Sequence, residues 1–543
     1  MAEPPTGPSA HIDTFARDHL PPRDQWPVML YDRPELRYGT PLNVVGELLD
    51  KPVAAGHGGR PLLRMPGRDW SYGEVLERAN RIAEVLTGEL GLVPGNRVLL
   101  RGPNNPMMAA CWLGIVKAGG IVVATMPLLR APELATIAGK ARIALALCDS
   151  RLDAEMKAAM AACPELRRMV CFDGPTLDGA GELETLMARQ SGQFETVPTA
   201  PDDVCLIAFT SGTTGKPKGT LHFHRDLLAS ADTFFAHCLP CDQDDVFCGS
   251  PPLAFTFGLG MQLIFPLHCG GAVAYLEQPA PEALLATIER AGVTVLSTAP
   301  TAYRALLPLL GGHDLSGLKY CISAGETLPL PTWQAWFEAT GHKIIDGLGA
   351  TEMFHIFITA AGEDIRPGAT GKSVPGYQAR VVDEQMTPLP AGEDGLLAVR
   401  GPTGCRYLAD ARQTDYVKQG WNLTGDTYRM DEDGYFWFQA RADDMIISAG
   451  YNIAGPEVEA ALLAHDAVAE CAVVGEPDPR RGQIVKAFVV LADGYTGNDA
   501  MTKTLQDFVK QTIAPYKYPR AISFCAALPK TETGKIQRFK LRH

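Results

Sequence analysis

Residues 210–219, T-S-G-T-T-G-K-P-K-G, constrain this chain more than any other stretch. They follow the apolar run 204–209, which reads as a buried strand, and they run into Thr220-Leu-His-Phe223, which reads as another. Glycines let backbone N–H groups close around an anion, and lysines and hydroxyls add further donors. The chemistry suggested is polyphosphate binding. A Walker A loop needs G-x-x-x-x-G-K-[ST] opening a helix. Here Lys216 is followed by Pro217 and then by a strand. The one Gly-Lys-Ser, residues 371–373, has Arg366 where the first glycine should stand. An ordinary Gly/Ser/Thr turn is the competing reading, and the loop alone does not separate the two.

The chain has 543 residues, too many for one small domain. With 46% apolar and 20% charged residues it can bury a large core. A net charge of −13 argues against a nucleic-acid partner and against a basic membrane-binding patch. The first residues, M-A-E-P-P-T-G-P, lack the basic start and apolar run of a signal peptide. The best apolar run, 253–267, is interrupted by Gln262 and glycines, so no membrane span is expected. Thirteen scattered cysteines suit reduced thiols and a cytoplasmic setting. His237, Cys238, Cys241, Cys248 and Cys269 form the one zinc-like cluster. It lacks the second C-x-x-C of a structural site and is read as thiols.

Along the chain, helical spacing of Val75, Ala79, Ile82 and Leu86 predicts a helix after Trp70. Strands are expected at 97–100, 121–125, 143–148, 168–172, 204–209, 271–276, 294–298 and 319–323. A helix from Pro106 to Lys117 carries proline in its first turn. This alternation predicts an α/β fold with parallel-rich sheets covered by helices. After about residue 380 short strands dominate, at 379–383, 395–400 and 433–438. Beyond the polar run at 440–444 comes an α+β unit with helices at 456–464 and 499–513 and strands at 469–474, 484–491 and 521–525. The expected domains are 1–440 and 441–543.

Four further clusters carry chemistry. Residues 346–352, D-G-L-G-A-T-E, put Thr351 and Glu352 just after an expected strand at 343–345. A carboxylate beside a phosphate loop is a natural Mg²⁺ ligand. Residues 421–426 end in Asp426. Residues 441–447 offer Arg441 and a polar hinge candidate at Asp443 and Asp444. Residues 529–535 end in Lys535.

In this order and spacing the motifs resemble the acyl-adenylate-forming superfamily, also called AMP-binding or acyl-CoA synthetase enzymes, over essentially the whole chain. The resemblance implies a large N-terminal domain of stacked sheets and helices with a small β-rich region, and a small mobile C-terminal domain. ATP, Mg²⁺ and coenzyme A are implied as ligands, and a homodimer is compatible with it. By resemblance, Thr210, Ser211, Gly212, Thr213, Thr214, Gly215 and Lys218 hold the β- and γ-phosphates of ATP. Thr351 touches the α-phosphate and Glu352 binds Mg²⁺. Gly325, Glu326 and Thr327 border the adenine, and Asp346 and Gly347 also belong to the cofactor-binding set. Asp426 and Arg441 hold the ribose, Asp443 is the hinge and Lys535 assists adenylation. Ser448, Gly450 and Tyr451 belong to a loop that lines the thiol's path. Two positions depart from the family pattern: Leu348 replaces a frequent aromatic residue, and Ala440 a usual glycine.

Within the superfamily the chain looks most like benzoate-CoA and 2-aminobenzoate-CoA ligases, on residues 346–357 and 255–260 and on the C-terminal stretches 448–457 and 514–520. This implies that Thr256, Phe257, Gly349, His355 and Ile356 line a pocket for a flat aryl carboxylate. The Thr256 hydroxyl or His355 would meet an ortho-amino group. Other readings are an adenylating enzyme that loads a separate carrier protein, a ligase for a cyclohexane or medium-chain acid, and a light-emitting oxidation that shares the first half-reaction. A non-catalytic AMP-binding protein would have lost Lys535 or Glu352, and both are present.

Overall fold

The computed structural model describes residues 8–174, 178–210, 217–441, 444–448, 451–478, 481–513, 515–530 and 536–542. Two large sheets form the body. In the six-stranded sheet the strands run in the order Arg168–Phe172, Leu145–Asp149, Arg97–Arg101, Ile121–Thr125, Val204–Thr210, Lys218–Phe223. All neighbours are parallel except the last pair. The nine-stranded sheet places Ile344–Gly349, Tyr320–Ala324, Val295–Thr298, Val246–Gly249 and Ala272–Val273 side by side in parallel. The early hairpin Pro61–Met65 and Arg68–Ser71 closes one edge of that sheet.

Sequence patterning explains what lies between them. The helix Tyr72–Glu84 begins where Ser71 caps the N–H of Glu74 and the Glu74 carboxylate returns to the Ser71 N–H, a reciprocal capping box. The helix Pro106–Lys117 is capped by Asn105, with proline at its first position. All of its residues are buried, because it is apolar around its whole circumference. It joins one hydrophobic cluster with residues of both sheets, among them Val98, Leu100 and Val122 from one and Phe247, Val295 and Ile345 from the other. Its single charge, Lys117, is 1% exposed and is matched by both oxygens of Asp50 at 2.6 and 2.7 Å and by the Thr196 hydroxyl at 2.6 Å.

A five-stranded antiparallel sheet follows, built on Gln378–Val382, Asp394–Arg400, Trp421–Met430 and Phe436–Arg441, with the short Val417–Lys418. The strand expected at 433–438 starts later, at Phe436. Asp431 Oδ1 accepts the N–H groups of Asp433 and Tyr435, and Gly434 adopts φ +81°, so these residues form a turn instead. The strand expected at 271–276 shrinks to Ala272–Val273. The last sheet joins Ile446–Ser448, Tyr451–Ile453, Gly482–Leu491, Val468–Asp478 and Ala521–Phe524. Helices Gly455–Leu463 and Asp499–Thr512 supply residues to its separate core. Among the described residues no helix is long and apolar enough to cross a membrane.

Candidate functional site

Strand Val204–Thr210 pairs antiparallel with strand Lys218–Phe223, and Thr210 faces Lys218 across the ladder. The loop between them is thus flanked by two strands, as its sequence implies. Ser211, Gly212, Thr213, Thr214 and Gly215 lie outside the described residues, as do Asp443, Gly450 and Lys535. The Thr210 hydroxyl is buried without a hydrogen-bond partner among the described residues.

A segment far along the chain lies against this hairpin. Leu221 N–H donates to Arg406 O at 2.8 Å and Leu408 N–H donates to Gly219 O at 2.8 Å, with a bridge between Thr220 and Tyr407. An ion pair buried at 0% exposure on both sides fixes this contact: Arg406 Nη1 lies 2.7 Å from Asp226 Oδ2. The Tyr407 hydroxyl thereby reaches the polar centre. It accepts from Lys218 Nζ at 3.0 Å and donates to Glu352 Oε1. Burial and the neighbouring Glu352 carboxylate raise the Tyr407 pKa far above the ordinary phenol value, so the hydroxyl keeps its proton.

Glu352 sits in the short turn Thr351–Met353, directly after the strand Ile344–Gly349. Phe354 follows at φ +70°, a conformation that costs a β-carbon residue about 1–3 kcal/mol. This reversal separates Glu352, which contacts Tyr407, from His355, which enters an apolar box. Gly347 and Gly349 allow the close return: a β-carbon at 347 would meet Ile356 Cδ1 at 2.4 Å, and one at 349 would meet His355 O at 2.9 Å. Asp346 is half-buried, its shielded Oδ1 has no partner among the described residues, and desolvation pushes its carboxyl up to about 8. Gly325, Glu326 and Thr327 follow the neighbouring strand Tyr320–Ala324, with Gly325 at φ +89° and Thr327 exposed.

Asp426 and Arg441 are register partners on adjacent strands, joined at 2.8 Å. The strand carrying Arg441 ends there, and Asp444 N–H donates back to Arg441 O. Ser448 pairs with Tyr451 on the adjacent antiparallel strand, and its hydroxyl accepts from Arg481 Nε at 3.3 Å.

Several of the residues expected to line an acid pocket gather around His355. Its ring stacks on Phe234 at 5.2 Å, meets Phe265 edge-on at 4.6 Å and lies 5.7 Å from Phe257. Gly260 makes room for it, since a β-carbon there would sit 2.4 Å from His355 Cδ2. Thr256 and Phe257 open the helix Thr256–Leu259 against which the ring rests, and Thr256 is buried. Burial lowers the His355 pKa to about 3, so the ring is neutral. Its Nε2 faces Phe257 O at 3.4 Å, a partner that only accepts. The proton therefore sits on Nε2, and Nδ1 is a buried acceptor with no partner among the described residues. Ile356 packs over Gly347 in the core.

The sequence reading did not find Tyr407, Phe234 or Phe265. None stands in a spaced motif, and each reaches the site only through tertiary packing. Of the zinc-like cluster, Cys248 is buried in the strand Val246–Gly249 and His237 faces Glu35 at 3.1 Å.

The family signature "AMP-binding enzyme" matches residues 51–407, and "AMP-binding enzyme C-terminal domain" matches residues 457–535. The chain is 36% identical to a benzoate–CoA ligase of Thauera aromatica, over 94% of this chain and 97% of that protein. A mitochondrial acyl-coenzyme A synthetase, ACSM3, of Mus musculus is 33% identical over 87% of this chain and 84% of its own length. Among solved structures, the anthranilate CoA ligase AuaEII in complex with anthranoyl-AMP superposes with a TM-score of 0.88 at 35% identity, covering 94% of this chain and 98% of that one. A benzoate CoA ligase from Burkholderia xenovorans LB400 gives 0.84 at 30% identity, covering 92% and 100%. The chain belongs to the AMP-binding enzymes, the acyl-adenylate-forming superfamily, in its benzoate-CoA and 2-aminobenzoate-CoA ligase branch.

Proposed function

We propose that this acid–thiol ligase joins 2-aminobenzoate or benzoate to coenzyme A, through an acyl-AMP intermediate, with release of AMP and pyrophosphate. The observation that carries the aryl reading is the neutral His355, boxed by Phe234, Phe257 and Phe265, whose Nδ1 has no partner among the described residues. Flat apolar walls suit an aromatic ring. A bare imidazole acceptor suits an ortho N–H donor, and it favours 2-aminobenzoate over an aliphatic acid. The structural likeness to a ligase crystallised with anthranoyl-AMP agrees with this choice.

A carboxylate is a poor electrophile, and both it and the ATP α-phosphate are anionic. Residues 210–218 would hold the departing pyrophosphate, with Thr351 at the α-phosphate and Lys535 countering charge as the carboxylate attacks. Glu352 fits a divalent cation: among the described residues both of its contacts fall on Oε1, which leaves Oε2 for Mg²⁺. Bound there, Mg²⁺ would neutralise charge on the phosphates. Asp426 and Arg441 would take the ribose, and Gly325, Glu326 and Thr327 the adenine, with Asp346 and Gly347 also in the cofactor-binding set. Residues 441–543 would then swing about Asp443, withdraw Lys535 and bring Ser448, Gly450 and Tyr451 to the thiol. The setting proposed is the cytoplasm.

The test is CoA-dependent AMP formation from benzoate, 2-aminobenzoate, hydroxybenzoates, cyclohexane carboxylate and medium-chain acids. The two aryl acids should give the highest kcat/KM. A preference for aliphatic acids would overturn the aryl reading, and transfer to a carrier protein without CoA would replace the thiol. Lys535→Ala should cripple adenylation far more than thioester formation from supplied acyl-AMP.

A further inference from the structure

Lys218 and Glu352 carry opposite charges and face one another at 3.8 Å, in a site where exposure is low on both sides. At that distance they form a loose ion pair, not the hydrogen-bonded contact that charges so placed favour. The Tyr407 hydroxyl stands between them, accepting from Lys218 Nζ at 3.0 Å and donating to Glu352 Oε1. Lys218 Nζ also lies 4.9 Å from the centre of the Tyr407 ring, which shares the cation's charge without consuming a carboxylate. The ring itself is immobilised. It is wholly buried, its N–H donates to Gln413 Oε1 at 2.9 Å, and its neighbour Arg406 is locked to Asp226.

We propose that Tyr407 is a positioning residue that keeps the Lys218–Glu352 ion pair from closing to hydrogen-bond contact before the nucleotide binds. The hydroxyl occupies one carboxylate oxygen and leaves the other free for a cation. It also holds the lysine beside the loop, not on the glutamate. Without it, the flexible lysine stem would close the remaining gap, and MgATP would have to break an ion pair in a low-dielectric pocket before binding. The inference rests on the ATP-dependent reading above. Its chemistry is preorganisation, because both ligating groups are presented already separated.

The test uses the full chain and the near-isosteric Tyr407→Phe, which keeps the ring and deletes the hydroxyl. Binding of a non-hydrolysable ATP analogue is measured by calorimetry across a Mg²⁺ titration, beside thermal unfolding of the free protein. Tyr407→Phe should weaken analogue binding about 5–20-fold and raise the Mg²⁺ midpoint. The free variant should unfold at or above the parent's temperature, since the new ion pair compensates the lost bonds. KM for ATP should rise while KM for the aryl acid holds, a split that general loosening of the fold would not give. In a Lys218→Met background there is no cation to collapse onto Glu352, so adding Tyr407→Phe should leave the Mg²⁺ midpoint unmoved. An unchanged midpoint in the single variant, or an equal shift in the Lys218→Met background, overturns the spacer role. Failure of the parent protein to bind the analogue at all would instead count against the ATP reading. If Tyr407→Phe does not fold, Tyr407→Met, which also deletes the hydroxyl, takes its place under the same outcomes.

Discussion

Gly260→Ala gives the sharpest check on the acid pocket. The added β-carbon would lie 2.4 Å from His355 Cδ2, 2.6 Å from Nε2 and 3.1 Å from Phe265 Cε2. Ordinary carbon contacts begin near ~3.5 Å, so the imidazole must retreat by about 1 Å. It has little room, with Phe234 stacked on one face and Phe265 against its edge. Overpacking of this kind costs about 1–3 kcal/mol, and replacing a helical glycine by alanine returns roughly 0.5–1 kcal/mol. The net loss of stability should be at most about 2.5 kcal/mol. The functional loss should be larger, because a displacement of ~1 Å at a substrate-positioning group costs up to about 100-fold. Pyrophosphate release from 2-aminobenzoate should show kcat/KM lowered about 10–100-fold, with KM for ATP little changed. His355→Ala removes the ring that the new methyl strikes, so Gly260→Ala on that background should keep the helical gain of roughly 0.5–1 kcal/mol. The cycle should therefore show a coupling of about 1–3 kcal/mol in stability. Additivity within about 0.5 kcal/mol would refute the claim that glycine is required here to seat His355.

Three other outcomes can be checked directly. Arg406→Met strands the Asp226 carboxylate, which is buried at 0% exposure, and should lower the unfolding free energy by about 3–5 kcal/mol in thermal or urea unfolding; a loss under about 1 kcal/mol would contradict the buried pair. His224 accepts the Val44 N–H on Nδ1, and burial lowers its pKa to about 3 from 6.5. Because the native ring resists protonation that the unfolded chain accepts, its cost is absent above pH 6.5 and grows as pH falls toward 3. His224→Asn should therefore flatten the stability slope between pH 6 and 5 by about 1.4 kcal/mol per pH unit, and equal slopes in urea titrations would defeat the assignment. Thr256→Ala should shift preference from 2-aminobenzoate toward benzoate by about 0.5–1.5 kcal/mol in competing kcat/KM values, and an unchanged ratio would remove Thr256 as a reader of the amino group.

Much of this architecture is legible in the chain because local signals and tertiary demands coincide. The apolar run before Thr210 and the strand after Pro217 are visible as strands, and they pair with each other. Asp426 and Arg441 stand out as polar groups in motifs, and their pairing follows from register on adjacent strands. The helix from Pro106 is visible through its proline and its cap, but its burial on every side is not. That follows from packing against the helix Tyr72–Glu84 and against the strands Arg97–Arg101 and Ile121–Thr125. Tyr407 is hidden for a related reason: it lies 189 residues from Lys218 in sequence, and backbone hydrogen bonds and the Arg406–Asp226 pair bring its segment to the hairpin. The aromatic box around His355 draws Phe234 and Phe265 from separate elements, and aromatic residues at such positions look like ordinary core in a sequence.

The early hairpin has a consequence for how the body can be divided. The chain lays down residues 61–71 in the nine-stranded sheet, leaves to build the six-stranded sheet through residue 223, and returns to finish the first sheet from residue 246 onward. A cut near residue 240 would seem to separate the sheets. It would strip one fragment of its sheet edge and leave that edge, with the apolar helix Pro106–Lys117, on the other. Each piece would expose a face that the other was built to cover. The two sheets are therefore interlocked by chain order as well as by packing, and separately made halves should recover structure only when mixed.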